Sequence, residues 1–185
     1  MTGGDAARSA LTVRRFALRA LGFGLGVYLL AHAARDVVLV GTAEGFARVL
    51  SVLGEDVERE GTLVRGAQSA FLVVDECSAV VPLSILLGAV GASPVPLARR
   101  LLGAFVLGTV LLAINQIRLL SLWWVAVWRP EWFEWIHGVL WQPLLVLAVL
   151  VLWFPWFNRA LADVRARQTH HPRDFALGSH PGALP

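Results

Sequence analysis

Four apolar stretches, separated by segments of alternating charge, constrain this chain more than any other feature. They cover about residues 16–34, 78–92, 101–122 and 136–157. A helix needs about 20 predominantly apolar residues to cross the hydrocarbon of a bilayer, because every backbone N–H and C=O there must be satisfied within the segment. The second stretch is the shortest. Extending it backwards through residues 71–74 would place Asp75 and Glu76 in the span, where charge is costly, so a helix starting near Cys77 is expected. Of the 185 residues, 57% are hydrophobic and 16% charged, against roughly 25% charged in soluble domains. The expected fold is all-α and integral to a membrane, with about four transmembrane helices in one bundle.

Charge placement orients the bundle. Arg8, Arg14 and Arg15 precede the first stretch, Arg99 and Arg100 join the second to the third, and Arg159, Arg165 and Arg167 follow the fourth. These three regions alternate correctly for one face, which the positive-inside rule makes cytoplasmic. Both termini are expected in the cytoplasm of a multi-pass inner-membrane protein. Residues 36–76 carry eight acidic side chains against three arginines and belong outside, with the short tryptophan-rich connection at 123–135. Within the outer segment, residues 37–53 show helical apolar spacing with Glu44 and Arg48 at i and i+4, which suits a helix lying on the membrane surface. Residues 55–74 read either as a hairpin turning at Gly61 and entering Phe71-Leu72-Val73-Val74, or as an irregular acidic loop. Either makes a small extracytoplasmic helix/hairpin cap between the first and second spans. One membrane-embedded domain, 1–164, is expected, followed by a disordered cytoplasmic tail, 165–185.

Several alternatives bear on function. Ala31-His32-Ala33 resembles a cleavage site, but membrane-compatible sequence surrounds it, so the first stretch reads as an anchor. Trp123, Trp124, Trp128, Trp132 and Trp135 read as an interfacial belt, with a substrate-facing wall as the alternative. His170, His171 and His180 sit in the tail and read as flexible rather than metal-binding; no metal or cofactor is expected. All 16 basic residues are arginine, with no basic stripe of the kind that nucleic acid needs. A single cysteine excludes an intrachain disulfide and a multi-thiolate zinc site.

That cysteine opens the chemical argument. Cys77 stands where the acidic outer segment gives way to an apolar helix, and a thiol in a first helical turn feels the positive end of the helix dipole, which favours thiolate. Asp75 and Glu76 oppose this, unless Asp75 caps the helix and an arginine neutralises Glu76. The competing reading of Cys77 is a small buried hydrophobe. Arg118 ends the third stretch with Asn115 three residues before it, hence on one helix face. It reads either as snorkelling to the surface or as a fixed donor for a carboxylate or oxyanion. His137 opens the fourth stretch and is the residue type that serves as base to a nucleophilic thiol; His32, near the end of the first, competes with it. The topology delivers thiol, guanidinium and imidazole to one face. There is no H-E-x-x-H, no G-x-S-x-G and no pair of intramembrane aspartates.

Cys77-Ser78-Ala79 opening a span, Asn115-x-x-Arg118 ending the next and His137 opening the last resemble the Cys-Ser-Gly, Asn-x-x-Arg and His motifs of the exosortase/archaeosortase family, most like the compact exosortase H type. The resemblance covers about residues 16–157. It implies a membrane cysteine protease/transpeptidase that removes a C-terminal sorting signal, made of a motif, a transmembrane helix and a basic tail, from exported proteins at the outer face of the cytoplasmic membrane, and passes the new C-terminus to an acceptor. Cys77 would be the nucleophile, His137 the general base and acid, and Arg118 the oxyanion or substrate group, supported by Glu76, Ser78 and Asn115. Ala79 departs from the family's glycine, but alanine is small enough to keep close approach. The rival reading is a non-enzymatic membrane scaffold or assembly partner for exported proteins, whose polar groups only stabilise helix packing.

Overall fold

The computed structural model describes residues 3–170, most of them helical. In chain order the elements are α1 (Gly3–Ala33), α2 (Arg35–Val52), β1 (Val57–Glu60), β2 (Leu63–Gly66), β3 (Ala70–Leu72), a 3₁₀ turn (Asp75–Cys77), α3 (Val80–Ala92), α4 (Leu97–Trp128), a second 3₁₀ turn (Pro130–Trp132), a π-helix (Trp135–Trp141) and α5 (Gln142–His170). Three helical stretches, Leu11–Ala33, Leu97–Trp128 and Trp135–Asp163, are long and apolar enough to cross a membrane. Their surfaces fit hydrocarbon: Leu21, Leu30, Phe105 and Val151 are each more than 60% exposed, an arrangement that water would penalise. The 13 residues of α3 rise only about 20 Å as a helix.

Helix α3 begins at Val80, later than the start near Cys77 expected from hydropathy. Pro82 is the cause. In a helix its ring would meet the carbonyl four residues back, at Ser78, so proline is tolerated only in the first turn. The chain enters α3 through Ala79, whose φ of 55° lies in the left-handed region, and the Leu83 N–H donates to the Ala79 carbonyl at 3.0 Å.

Helices α1 and α3 cross with backbones in contact. A Cβ on Gly88 would lie 2.5 Å from the Ala20 carbonyl oxygen, and one on Gly24 would lie 3.0 Å from that of Ser84; Ala20/Gly24 and Ser84/Gly88 are thus paired small-residue steps of the kind that let membrane helices approach closely. At the far end of α3, Arg100 donates to the carbonyls of Val95 and Gly91, closing off that helix end. Beside it Arg99 pairs with Asp163 of α5 at 2.8 Å.

Residues 36–76 contain both helix and strands. The apolar stripe of α2 (Leu39, Ala43, Phe46, Ala47, Leu50) is buried and packs on Val64, Phe71 and Trp123, so it faces protein where a membrane-surface helix would turn it to lipid. The strands form one antiparallel sheet in the order β1-β2-β3. Gly61, at φ +60°, occupies the tight turn joining Glu60 to Leu63. The strand after that turn is Leu63–Gly66, and the Phe71 run forms a third strand on its other side.

Trp123 belongs to neither an interfacial belt nor a substrate wall. It is 2% exposed, edge-on to Phe46 and against Gly66, where a Cβ would approach its ring to 2.8 Å. Trp128, Trp132 and Trp135 are exposed. Helix α5 continues to His170, into the segment expected from residue 165 onwards to be a tail; residues 171–185, with His171 and His180, lie outside the described residues.

Candidate active site

The 3₁₀ turn that carries Cys77 is held from three directions. Asn115 Nδ2 donates to the Cys77 carbonyl at 2.8 Å and Arg118 Nη1 to the Glu76 carbonyl at 2.7 Å, from one face of α4. On the opposite side Arg35, which opens α2 directly after the break from α1, forks onto the Asp75 carboxylate at 2.8–3.0 Å. Within the turn Ser78 Oγ donates to the Asp75 carbonyl at 2.7 Å. The two alternatives that would have relieved the acidic pressure on the thiol are therefore replaced. Asp75 makes no side-chain cap, and Arg118 takes the backbone of Glu76 while the Glu76 carboxylate stays exposed.

Arg118 does not snorkel. It is 1% exposed and has no carboxylate within ion-pair distance among the described residues. Its Nε has no partner there, leaving a donor beside a pocket of about 300 Å³ that it lines with Glu76, Ala79 and Gln142. Charge-assisted bonds to carbonyls are stronger than neutral ones, so this side chain fixes the turn backbone while keeping a guanidinium N–H in reserve.

Cys77 and His137 face a different space. Both line a cavity of about 580 Å³, with Phe71, Leu72 and Val74 on the sheet side and Phe133 and Glu134 opposite. His137 stacks on Phe133 with centroids 5.8 Å apart, and Phe133 meets Phe71 edge-on at 6.2 Å. The Nε2 atom of His137 is buried with no partner among the described residues. No hydrogen bond joins the imidazole to the Cys77 thiol among the described residues. Such bonds between catalytic groups often close only when substrate is bound.

The thiol is 3% exposed and belongs to the apolar cluster of α2, the sheet and α4. Burial pushes its pKa up; the Val74 backbone and the Arg118 charge pull it back down, and the Glu76 charge adds to the rise. It stands ahead of α3, outside the helix's first turn, so the expected helix-dipole activation does not dominate.

Three features here escaped the sequence reading. His137 lies on a π-helix, a local irregularity that frequently marks functional positions. Trp141 Nε1, at the end of that π-helix, donates to Ser121 Oγ, which donates to the Arg118 carbonyl, tying the His137 segment to the Arg118 turn. Ala79 occupies the one non-glycine left-handed position among the described residues. Pro82 could have revealed the late helix start; the other links have no local signal. His32 stacks on Tyr28 and lines a separate pocket with Arg35, Asp75 and Glu76, away from the Cys77–His137 cavity. No group of metal-binding residues occurs among the described residues.

No family model, no curated protein and no solved structure matches this chain.

Proposed function

We propose that this chain is an exosortase-like cysteine peptidase/transpeptidase of the cytoplasmic membrane, with both termini in the cytoplasm and its site on the extracytoplasmic side. The observation that carries the reading is the convergence at one turn: Asn115 and Arg118 hold the carbonyls of Cys77 and Glu76, while Cys77 shares a cavity with His137. Four crossings follow if α3 counts with the extended residues behind it. Along α4, Leu97 to Arg118 rises about 32 Å, and α3 with residues 93–96 joins the same two ends, from the Cys77 turn to the Arg99–Asp163 pair. Residues 36–76 then form the outer cap.

In the reaction, the sorting signal of an exported protein places its scissile carbonyl in the cavity. His137 takes the thiol proton, the Cys77 sulfur bonds to the carbonyl carbon, and the positive charge of Arg118, held behind the turn on the Glu76 carbonyl, favours the oxygen as it gains charge. The C–N bond breaks, the leaving amine takes the proton from His137, and a thioester remains. Water or an acceptor amine attacks the thioester carbon, releasing the thiol.

A second reading is the scaffold, favoured by the burial of Cys77 in an apolar cluster without a thiol–imidazole hydrogen bond. Alkylation of Cys77 by a membrane-impermeant maleimide in intact cells, followed against pH, separates the two. Expected for the enzyme is labelling from outside with a midpoint above the ordinary thiol value, shifted by both His137→Ala and Arg118→Ala. No labelling, or labelling indifferent to both substitutions, would leave the scaffold standing.

A further inference from the structure

β3 is an edge strand, pairing with β2 and with no other strand among the described residues. Its register fixes which main-chain groups are used. Gly66 N–H donates to the Ser69 carbonyl and Val73 N–H to the Thr62 carbonyl, and Phe71 stands opposite Val64. In an antiparallel ladder the hydrogen-bonded residues alternate, so Ser69, Phe71 and Val73 point their N–H and C=O toward β2. Ala70 and Leu72 point theirs the other way, as does the N–H of Val74.

The strand as a whole borders the cavity: Ala70, Phe71, Leu72 and Val74 all line the space that Cys77 and His137 share. Side chains follow the same alternation, Phe71 being buried and Ala70 and Leu72 exposed. An edge of this kind is a template for another strand, and here it leads along a wall to a thiol. Among the described residues the cavity's lining holds one carboxylate, Glu134, and no arginine, which suits a neutral or basic segment and disfavours an acidic one.

We propose that an extended, neutral or basic peptide segment of the substrate adds to the free edge of β3 as a fourth strand, held by main-chain hydrogen bonds to Ala70 and Leu72 that carry its backbone to Cys77. The proposal rests on the peptidase reading and gives it a substrate class: unfolded segments read first by backbone, and by side chains only at alternate positions.

The test uses the full chain carrying Cys77→Ala in lipid nanodiscs, so that binding is measured without turnover. The probe is a capped heptapeptide alternating threonine and valine around a central arginine. Its control is the same peptide N-methylated at alternate amides, which removes donors from one edge while keeping the side chains. Saturable binding weakened about tenfold or more by methylation, with slowed amide exchange at Ala70 and Leu72, is the expected result. Leu72→Pro, which deletes a donor of the free edge and leaves the β2 ladder, should weaken binding similarly, whereas Val57→Pro on the far edge of β1 should not. No saturable binding, or equal binding of methylated and unmethylated peptides, would overturn strand addition. Methylation-sensitive binding together with a parent chain that never forms a thioester would support the docking and sink the cysteine chemistry.

Discussion

Two apolar cores lie along α4, and they differ in what surrounds them. At one end Phe46, Leu50, Val64, Leu122 and Trp123 are each 2% exposed or less, enclosed by α2, the sheet and the end of α4. Toward the other end the core is a thin seam of Leu86, Val90, Leu107, Leu111, Leu145 and Val149, with most of each helix open outward; only 11% of an apolar 18-residue stretch within Trp135–Asp163 is buried. The first is built as a water-soluble domain is, by removing side chains from solvent. The second needs an apolar solvent outside and is joined by close backbone approach. Cys77 belongs to the enclosed core, and that burial pushes its thiol pKa up; the chain reaches it through a turn rather than through a continuous helix.

Truncating an aromatic side chain should therefore have unequal consequences in the two regions. Trp123→Ala, in the enclosed core, is expected to cost about 3–5 kcal/mol, read from thermal or denaturant unfolding in detergent micelles. Phe154→Ala, on a 59% exposed side chain of α5, should change stability by no more than about 0.5 kcal/mol. Similar losses at both sites would end the distinction.

Added volume should reverse the sensitivity. Gly88→Val places side-chain atoms where Ala20 and Gly24 backbone already sits, and a cost of about 1–3 kcal/mol is expected, with loss of disulfide cross-linking between cysteines introduced at Ala20 and Ser84. Retained cross-linking at parental efficiency would show that the α1–α3 contact is loose.

At the junction of the two regions, Ala79→Gly should stabilise the fold by about 0.5–1 kcal/mol. A left-handed alanine costs about 1–2 kcal/mol, partly offset by the greater chain freedom of glycine when unfolded. Loss of stability would mean that the alanine methyl packs usefully against the turn.

The smallest effect is electrostatic and confined to the cap. Arg59 donates to Glu44 at 2.6 Å and, with a smaller contribution from Arg48, holds its carboxyl below the usual range. A depressed carboxylate stabilises the fold above its unfolded pKa, and that contribution disappears as pH falls through the folded value. A modest acid-side loss of stability is expected in the parent chain and should be absent in Glu44→Gln. An identical acid profile in the variant would show that solvent screens the pair completely.

Hydropathy and charge are local properties, and what depends on them was legible. The apolar runs foretold the apolar middles of three long helices, although α1 starts earlier and α5 runs on well past its expected end; the helical spacing after Val37 foretold α2, and Gly61 marked its turn. Cys77, Asn115, Arg118 and His137 stood out because each is a polar or reactive group at the edge of an apolar run, where such groups need a reason. Pro82 also carried the late start of α3, although the apolar run masked it. Pairing across distance was not legible. Asn115 and Arg118 reach carbonyls 38 and 42 residues away, and which helix face meets which is set by lateral packing that no sequence window contains. The same packing decided that Arg35 takes Asp75, that α2 turns its stripe toward the sheet, and that Arg118 and the Cys77–His137 pair open onto separate spaces. Sequence by itself determined which segments suit hydrocarbon and which residues could do chemistry, because transfer free energy and reactivity belong to the residue. Only the tertiary structure decided which of those residues meet, because a contact belongs to two segments at once.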